Sequence, residues 1–270
     1  VALASGEHGP FEGFEHDGVV FGAYRRTGTW SPDLVALIAE RLFAGAGGTL
    51  IDVGANIGLV AIPVLERSAA SCVAFEPEPR NHQLLCRNLE RHGLQPRVQT
   101  HALALDAHNG TVALALCADN SGDHRLVHAQ APEGWPCIGV RAARLDDLLE
   151  GRTLERPIVM KLDCQGAEAR VLRGAARTLE QVDHLVVEYW PAGLLRMGDS
   201  AQALQELLLA FPHAVLLGYQ SLEGRLRATA TLFAQLAWIP TDGSDEGFFD
   251  LLLSRHEELA GPVQRARQPR

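Results

Sequence analysis

Lysine is almost missing from this 270-residue chain: Lys161 is its only one, so nearly all of the 24 basic side chains are arginine. We read the bias first as a trace of high-GC coding. With 33 acidic residues the net charge is −9, and no basic patch interrupts it. That balance argues against binding nucleic acid along its phosphate backbone, which Lys and Arg must neutralise. No stretch approaches the ~18 apolar residues of a membrane span, and a cytoplasmic protein is expected. The opening VALASGEHGP is too short for a signal peptide and lacks its basic start. Its first residue is not Met, as expected of a trimmed chain or an excerpt. The five cysteines are scattered, with no CxxC pair, which fits reduced thiols better than a disulfide framework or a zinc site. Repeats and low-complexity linkers are absent too. What is present is an ordinary globular composition, 47% hydrophobic, of a length that suits one large α/β domain.

A hairpin is expected around His16–Tyr24, turning at Asp17-Gly18. Ser31-Pro32-Asp33 reads as a helix start, with a capping Ser, Pro at the first position and an acid in the first turn. That helix is expected to run to about Phe43. From Thr49 onward strands and helices alternate. TLIDVG, CVAFE, RVQTHAL, PIVMKLD, HLVVEYW, HAVLLGY and FFDLLLS read as strands. Helices are expected over Ile57–Arg67, Arg80–His92, Ala167–Gln181 and Ala201–Phe211. GTVALALC and CIGVRAARL flank a polar loop, Ala118–Pro136, and read as an added hairpin-like excursion. Repeated βα units with continuous apolar strands imply a parallel sheet covered on both faces. No helix is evident between the last two strands, so the sheet is expected to end in an antiparallel edge hairpin.

Ligands of open α/β sheets bind beyond the carboxyl ends of the strands. The first of these strands runs Asp52-Val53-Gly54-Ala55-Asn56-Ile57-Gly58 into a helix. Gly54 and Gly58 would let a ligand approach the backbone, but the spacing is GxxxG and not the GxGxxG of a pyrophosphate cradle. Asp52 beside that turn would repel a pyrophosphate and suit an ammonium or sulfonium group. Glu76 ends the next strand, 22 residues after Gly54, where an acid can accept from both hydroxyls of an adenosine ribose. The third leads to Ala104-Leu105-Asp106, where Asp106 either accepts from an adenine amine or caps a turn. Each feature alone is weak; their conjunction at strand ends is specific.

LIDVGANIG, CVAFEPEPRNHQLLCRNLERHG, IVMKLDCQGAEARVLRGAARTLEQ and HLVVEYW together resemble the FkbM family of S-adenosylmethionine-dependent methyltransferases. The resemblance covers roughly Gly47 to Trp190. It implies a Rossmann-like class I methyltransferase fold, α/β, with a seven-stranded mostly parallel sheet and an N-terminal helical extension. It places Asp52, Gly54, Asn56 and Gly58 around the methionine part of S-adenosylmethionine and Glu76 on the ribose. It implies methylation of hydroxyls on sugars, polyketides and related secondary metabolites, with a few members acting on carboxylates. The family pattern K-x-D-x-E-G-x-E is here Lys161-Leu162-Asp163-Cys164-Gln165-Gly166-Ala167-Glu168, with Gln165 in place of an acid. The organisation expected is an N-terminal extension over 1–45 serving as a substrate cap, a methyltransferase domain over 46–260 and a flexible tail over 261–270.

Methyl transfer to a hydroxyl needs alignment and a proton acceptor. Asp163 is the first candidate carboxylate, its alternative being a helix cap. Lys161 reads as the ion-pair partner of a neighbouring acid, and Glu168 as a first-turn acid favoured by the helix dipole. Glu188 sits within the apolar run LVVEYW, where a charge must be paired or face a ligand. Asp163 and Glu188 together could hold a divalent cation, but Gln165 weighs against it, and no metal site is assigned. His124 is a candidate base or a solvated loop histidine. Asn120, Tyr189 and Trp190 are candidate pocket walls. Two other readings are a non-catalytic scaffold with this fold and a nicotinamide-dependent oxidoreductase. The acceptor expected is a small molecule or sugar, with neither nucleic acid nor membrane as a partner.

Overall fold

The structure, a computed structural model, describes residues 1–128, 131–217, 226–236, 240–242 and 247–259. The expected tail over 261–270 therefore lies outside the described residues, as do Gly218 and Tyr219 of the expected strand HAVLLGY. No helix among the described residues is long and apolar enough to cross a membrane.

The chain opens with an antiparallel hairpin, β1 (Ala2–Gly6) and β2 (Gly9–Gly13). The hairpin expected around His16–Tyr24 is not formed, because Asp17 starts a helix instead. Its carboxylate accepts from the backbone N–H groups of Val19, Val20 and Phe21 at 2.9–3.1 Å and launches α1 (Val20–Thr27). An Asp ahead of Gly signals a turn or a helix cap equally; three backbone donors decide for the cap. α2 (Pro32–Ala36) follows and continues as a π-helical stretch, Leu37–Leu42, ending at Phe43 as expected. Ser31 heads it without a side-chain capping bond, at φ 44°, so Pro32 and Asp33 alone mark this start.

The central sheet follows from the apolar runs. Every residue of β3 (Thr49–Val53), β10 (Ile158–Leu162) and β11 (His184–Tyr189) is buried, as strands covered on both faces require. With β4 (Ser71–Phe75), β5 (Val98–His101), β12 (His213–Leu217), β13 (Arg227–Ala228) and β14 (Phe249–Ser254) they run in the order β13-β12-β14-β11-β10-β3-β4-β5. The five strands from β11 to β5 are parallel. β14 runs antiparallel between β11 and β12, so the reversed strand is interior to the sheet and not an edge. Two-residue β13 brings the count among the described residues to eight against the seven expected.

α3 (Ala61–Glu66) and α4 (Pro79–Arg91) connect the first strands. The expected third strand ends early, at His101, and the residues just beyond it form β6 (Ala104–Leu105), which joins a separate four-stranded sheet with β7 (Gly110–Ala115), β8 (Arg125–Val127) and β9 (Cys137–Ala143). This is the expected excursion, with β8 arising inside its polar loop. After α5 (Leu145–Leu148), the helix expected over Ala167–Gln181 breaks into α6 (Glu168–Arg173) and α7 (Ala176–Leu179). Gly174 sits at the break, where a Cβ would meet the Asp106 carbonyl oxygen at 2.1 Å. α8 (Pro191–Arg196), α9 (Ala201–Leu208) and α10 (Thr229–Gln235) complete the chain. α10 lies between the last two long strands, where no helix was expected.

Alternating strand residues divide the core. Ile51, Val53, Phe75, Met160 and Leu185 pack with α6 and α9 on one face. Leu50, Ala74, Val159 and Val186 pack on the other with Phe11, Phe21, Tyr24, Ile38 and Phe43. Residues from Phe11 to Phe43 thus share a core with the sheet.

Candidate functional site

A cavity of about 630 Å³ opens beyond the carboxyl ends of β3, β4, β10 and β11, the place an open α/β sheet reserves for ligands. Gly54, Asn56, Glu76, His124, Asp163 and Glu188 line it; Asp52, Gly58 and Asp106 do not.

The turn after β3 is shaped by two left-handed residues, Gly54 at φ 78° and Asn56 at φ 50°. A Cβ on Gly54 would stand 1.9 Å from the Asp163 carbonyl oxygen, so only glycine lets β3 and β10 end side by side here. Asn56 accepts from the Ile57 N–H with Oδ1 at 2.7 Å and donates from Nδ2 to the Ser121 carbonyl at 3.0 Å. Asn81 donates to that same carbonyl, and the Ser121 hydroxyl donates to Asp17. Ser121 therefore ties the loop over the cavity to the turn, to α4 and to the N-terminal segment.

Glu76 is buried at the end of β4. Its Oε2 accepts from the Asn56 N–H at 2.8 Å and its Oε1 from the Glu78 N–H at 2.9 Å. Burial outweighs these bonds and raises the carboxyl to about 7. Each oxygen keeps a lone pair for a further donor.

Asp52 lies beneath the turn, fully buried, and pairs with Lys161 Nζ at 3.3 Å. The two are register partners on β3 and β10. Neither Asp52 oxygen has a well-aligned hydrogen-bond donor, and burial raises its carboxyl above the ordinary range. Burial alone would pull the Lys161 ammonium down, but Asp52 and Asp163 outweigh it and hold it above the usual lysine value. Lys161 also donates to the Gly54 carbonyl at 3.1 Å. Asp52 therefore faces Lys161. Gly58 is likewise a packing residue, since a Cβ there would stand 2.9 Å from Ile62 and Leu85 side-chain carbons.

Asp106 is engaged away from the cavity. Arg170 Nε donates to its Oδ1 at 2.9 Å and His128 Nε2 lies 2.8 Å from Oδ2. Neither partner signals this from the sequence, since both arrive from distant segments.

The far side of the cavity is acidic. Asp163 is about half exposed, 3.5 Å from Lys161 Nζ. Gln165, at φ 57°, donates from Nε2 to Asp163 at 3.0 Å and to Glu188 at 3.4 Å. Burial, then Asp163, Glu168 and Asp250, push Glu188 up to about 10. Asp250 on β14 also lines the cavity and is raised to about 6, by burial first and then by Asp163. Sequence reasoning missed it; its one signal was an acid at the head of FDLLLS. Glu168 is fully buried, its Oε1 accepting from the Cys164 and Gly166 N–H groups at 3.1 and 3.2 Å, and burial raises it to about 7. It fastens the turn that presents Asp163, a task beyond favouring a helix dipole. Among the described residues, no group of three or more His, Cys, Asp or Glu is arranged to hold a metal ion.

His124 accepts the Cys117 N–H on Nδ1 at 3.1 Å, and burial lowers its pKa. With Nδ1 occupied, the proton of the neutral ring sits on Nε2, which can donate but not accept. Asn120 and Trp190 line the cavity, whereas Tyr189 packs on Phe249 with ring centroids 5.1 Å apart.

A family model described as the methyltransferase FkbM domain matches residues 52–206, more than half of the chain. The methyltransferase sdnD of Sordaria araneosa is 29% identical over 54% of this chain and 68% of its own length. The hexuronic acid methyltransferase AglP of Haloferax volcanii is 29% identical over 58% of this chain and 61% of its own. The 2-O-methyltransferase NoeI of Sinorhizobium fredii is 25% identical over 60% of this chain and 71% of its own. The match therefore spans less than two thirds of AglP. A crystal structure of the methyltransferase FkbM from Methylobacillus flagellatus aligns with TM-score 0.48 and 16% identity over 77% of this chain and 44% of the other. The chain belongs to the FkbM methyltransferase family.

Proposed function

We propose that the protein is an S-adenosylmethionine-dependent methyltransferase that acts on a hydroxyl group of a sugar or small secondary metabolite. Glu76 carries the reading. It is a buried carboxylate, fixed by one backbone N–H on each oxygen, with a lone pair on each left for two neighbouring ribose hydroxyls. The rest of the cavity fits the same cofactor. Gly54 leaves backbone accessible, and Leu103, Ala104 and Leu105 supply an apolar wall for a base. The relatives AglP and NoeI, named for hexuronic acid and 2-O-methylation, support the choice of acceptor.

The cofactor, when bound, supplies a methyl group on a positively charged sulfur. The chain's own work is alignment, an effect worth up to ~7–11 kcal/mol when reacting atoms are held in line. Asp163 is the carboxylate placed to take the hydroxyl proton: it faces the cavity half-exposed, and Lys161 and Gln165 fix its orientation. His124 Nε2–H is placed to donate to an acceptor oxygen. Residues 1–45 contribute Val19, Val20, Trp30 and Ser31 to the cavity wall, and we assign them the role of a cap over the methyltransferase domain.

Calorimetric titration with S-adenosylhomocysteine tests the proposal, with NAD as control and with Mg²⁺ present and then chelated. Micromolar binding of the first, none of NAD, and a loss of about tenfold or more in Glu76→Ala are expected. A folded sample that binds no nucleoside overturns the proposal and leaves a scaffold with this fold.

A further inference from the structure

Cancelling charges along the cavity wall leaves one unbalanced place. Lys161 is held by Asp52 and Asp163. Arg125 is forked onto Asp123, Nε to Oδ1 and Nη2 to Oδ2 both at 2.8 Å, with its guanidinium carbon 4.8 Å from the Trp190 ring centre. At the end remote from Glu76, this leaves Glu188 and Asp250. They are register partners on antiparallel β11 and β14, so their side chains share a face with Cβ atoms ~4.5–5.5 Å apart, where like charges destabilise the sheet.

Both are short of partners. Glu188 is 7% exposed. One of its oxygens has only the weak 3.4 Å contact with Gln165, and the other has no hydrogen-bond or ion-pair partner among the described residues. The Asp250 carboxylate has none either among the described residues. Two residues beyond Glu188, Trp190 lines the same cavity with its indole N–H buried and without an acceptor. Among the described residues, the pair thus has only the weak Gln165 contact and its own proton, and Trp190 is a donor without an acceptor.

We infer that this end of the cavity receives an acceptor bearing an ammonium group beside its hydroxyls, as an amino sugar or amino polyol does, with the ammonium between Glu188 and Asp250. The inference rests on the methyltransferase reading and narrows its substrate class. An ammonium offers three donors and one positive charge; an oxygen of the same molecule satisfies Trp190. A uronate or phosphate would meet no unpaired cation among the described lining residues, which separates this site from one built for a hexuronic acid. Burial, then Asp163, Glu168 and Asp250, favours the protonated form of Glu188 in the empty site, with Lys161 opposing. The incoming ammonium takes that proton's place: the Glu188 O–H bond breaks, the proton leaves to buffer, and N⁺–H···O⁻ bonds form to both carboxylates.

The test titrates protein saturated with S-adenosylhomocysteine against glucosamine, N-acetylglucosamine and glucuronate, in two buffers of different ionisation enthalpy. Glucosamine is expected to bind about tenfold or more tighter than the other two and to release a proton on binding. Glu188→Gln and Asp250→Asn are each expected to remove most of that preference while S-adenosylhomocysteine affinity stays unchanged. Equal or tighter binding of N-acetylglucosamine or glucuronate, or no glucosamine binding by the saturated protein, overturns the inference. Failure of S-adenosylhomocysteine to bind shows in the saturation step, before any sugar is added, and sinks the methyltransferase reading and the inference with it.

Discussion

The Asn56 backbone N–H donates to Glu76 Oε2 at 2.8 Å, joining the turn after β3 to the end of β4. Asn56 itself is left-handed, at φ 50°. One hydrogen bond thus fixes both the conformation that exposes the turn and the carboxylate facing the cavity.

Nucleoside affinity should depend on pH through Glu76. Its carboxyl is raised to about 7 when the cavity is empty, and ribose hydroxyls donating to it favour the ionised form. S-adenosylhomocysteine should therefore bind about tenfold more weakly at pH 6 than at pH 8, levelling off above. Calorimetry across that range checks this, and Glu76→Gln should flatten the profile. The empty protein should change the opposite way. Below pH 7 the folded state holds a proton on Glu76 that the unfolded state has lost, so folding stability falls as pH rises from about 4.5 through 7. Glu168 and Asp250 are raised into the same range, so the difference between parent and Glu76→Gln urea curves at several pH values reads the Glu76 share.

Gly54→Ala should be strongly destabilising. A left-handed alanine costs about 1–3 kcal/mol, and forcing its Cβ toward the Asp163 carbonyl adds about 1–3 kcal/mol of overpacking. A urea midpoint close to that of the parent chain would contradict the close approach of the two strand ends.

Replacing Lys161 with Met strands Asp52, which is 0% exposed and has Lys161 as its ion-pair partner. A loss of about 3–5 kcal/mol is expected. The double change Lys161→Met with Asp52→Leu should recover most of it, since the uncompensated charge goes too. Denaturation curves of Lys161→Met, of Asp52→Leu and of the double variant, with the parent, form the cycle.

His124→Gln should retain activity to within about tenfold, because the ring lacks a free basic nitrogen. Loss of a true general base costs about 10²–10⁴-fold. Single-turnover rates with labelled methyl donor distinguish the two; Asp163→Asn is expected in the larger class.

The central strands were legible because burial on both faces forces continuous apolar runs. Glu76 and Glu188 stood out for the converse reason, as acids at the end of one such run and inside another. Asp17 was misread because its choice between turn and cap rests on whether a helix follows, and Val20–Thr27 carries Gly22 and two aromatics that weaken a helical signal. Asp52 was assigned to ligand on position, charge and the family resemblance, and Asp106 to an adenine amine or a turn cap. Their carboxylates are claimed by Lys161 and by Arg170 with His128. Such long-range pairing has no local periodicity from which to read it. Asp250 stayed hidden because its meaning comes from Glu188, 62 residues earlier, through a strand that runs backwards.

That reversed strand has a consequence for how such a protein can diverge. Glu76 and the turn that braces it come from the first third of the chain, whereas Asp250 arrives last. The sheet places β4 and β11 three strand spacings apart, about 14 Å at ~4.8 Å each. If Glu76 meets the nucleoside and Asp250 the acceptor, as proposed, substitutions near the final strand should retune the acceptor and leave the Glu76 end unchanged. On the proposed function, donor and acceptor would be met by separate parts of the chain.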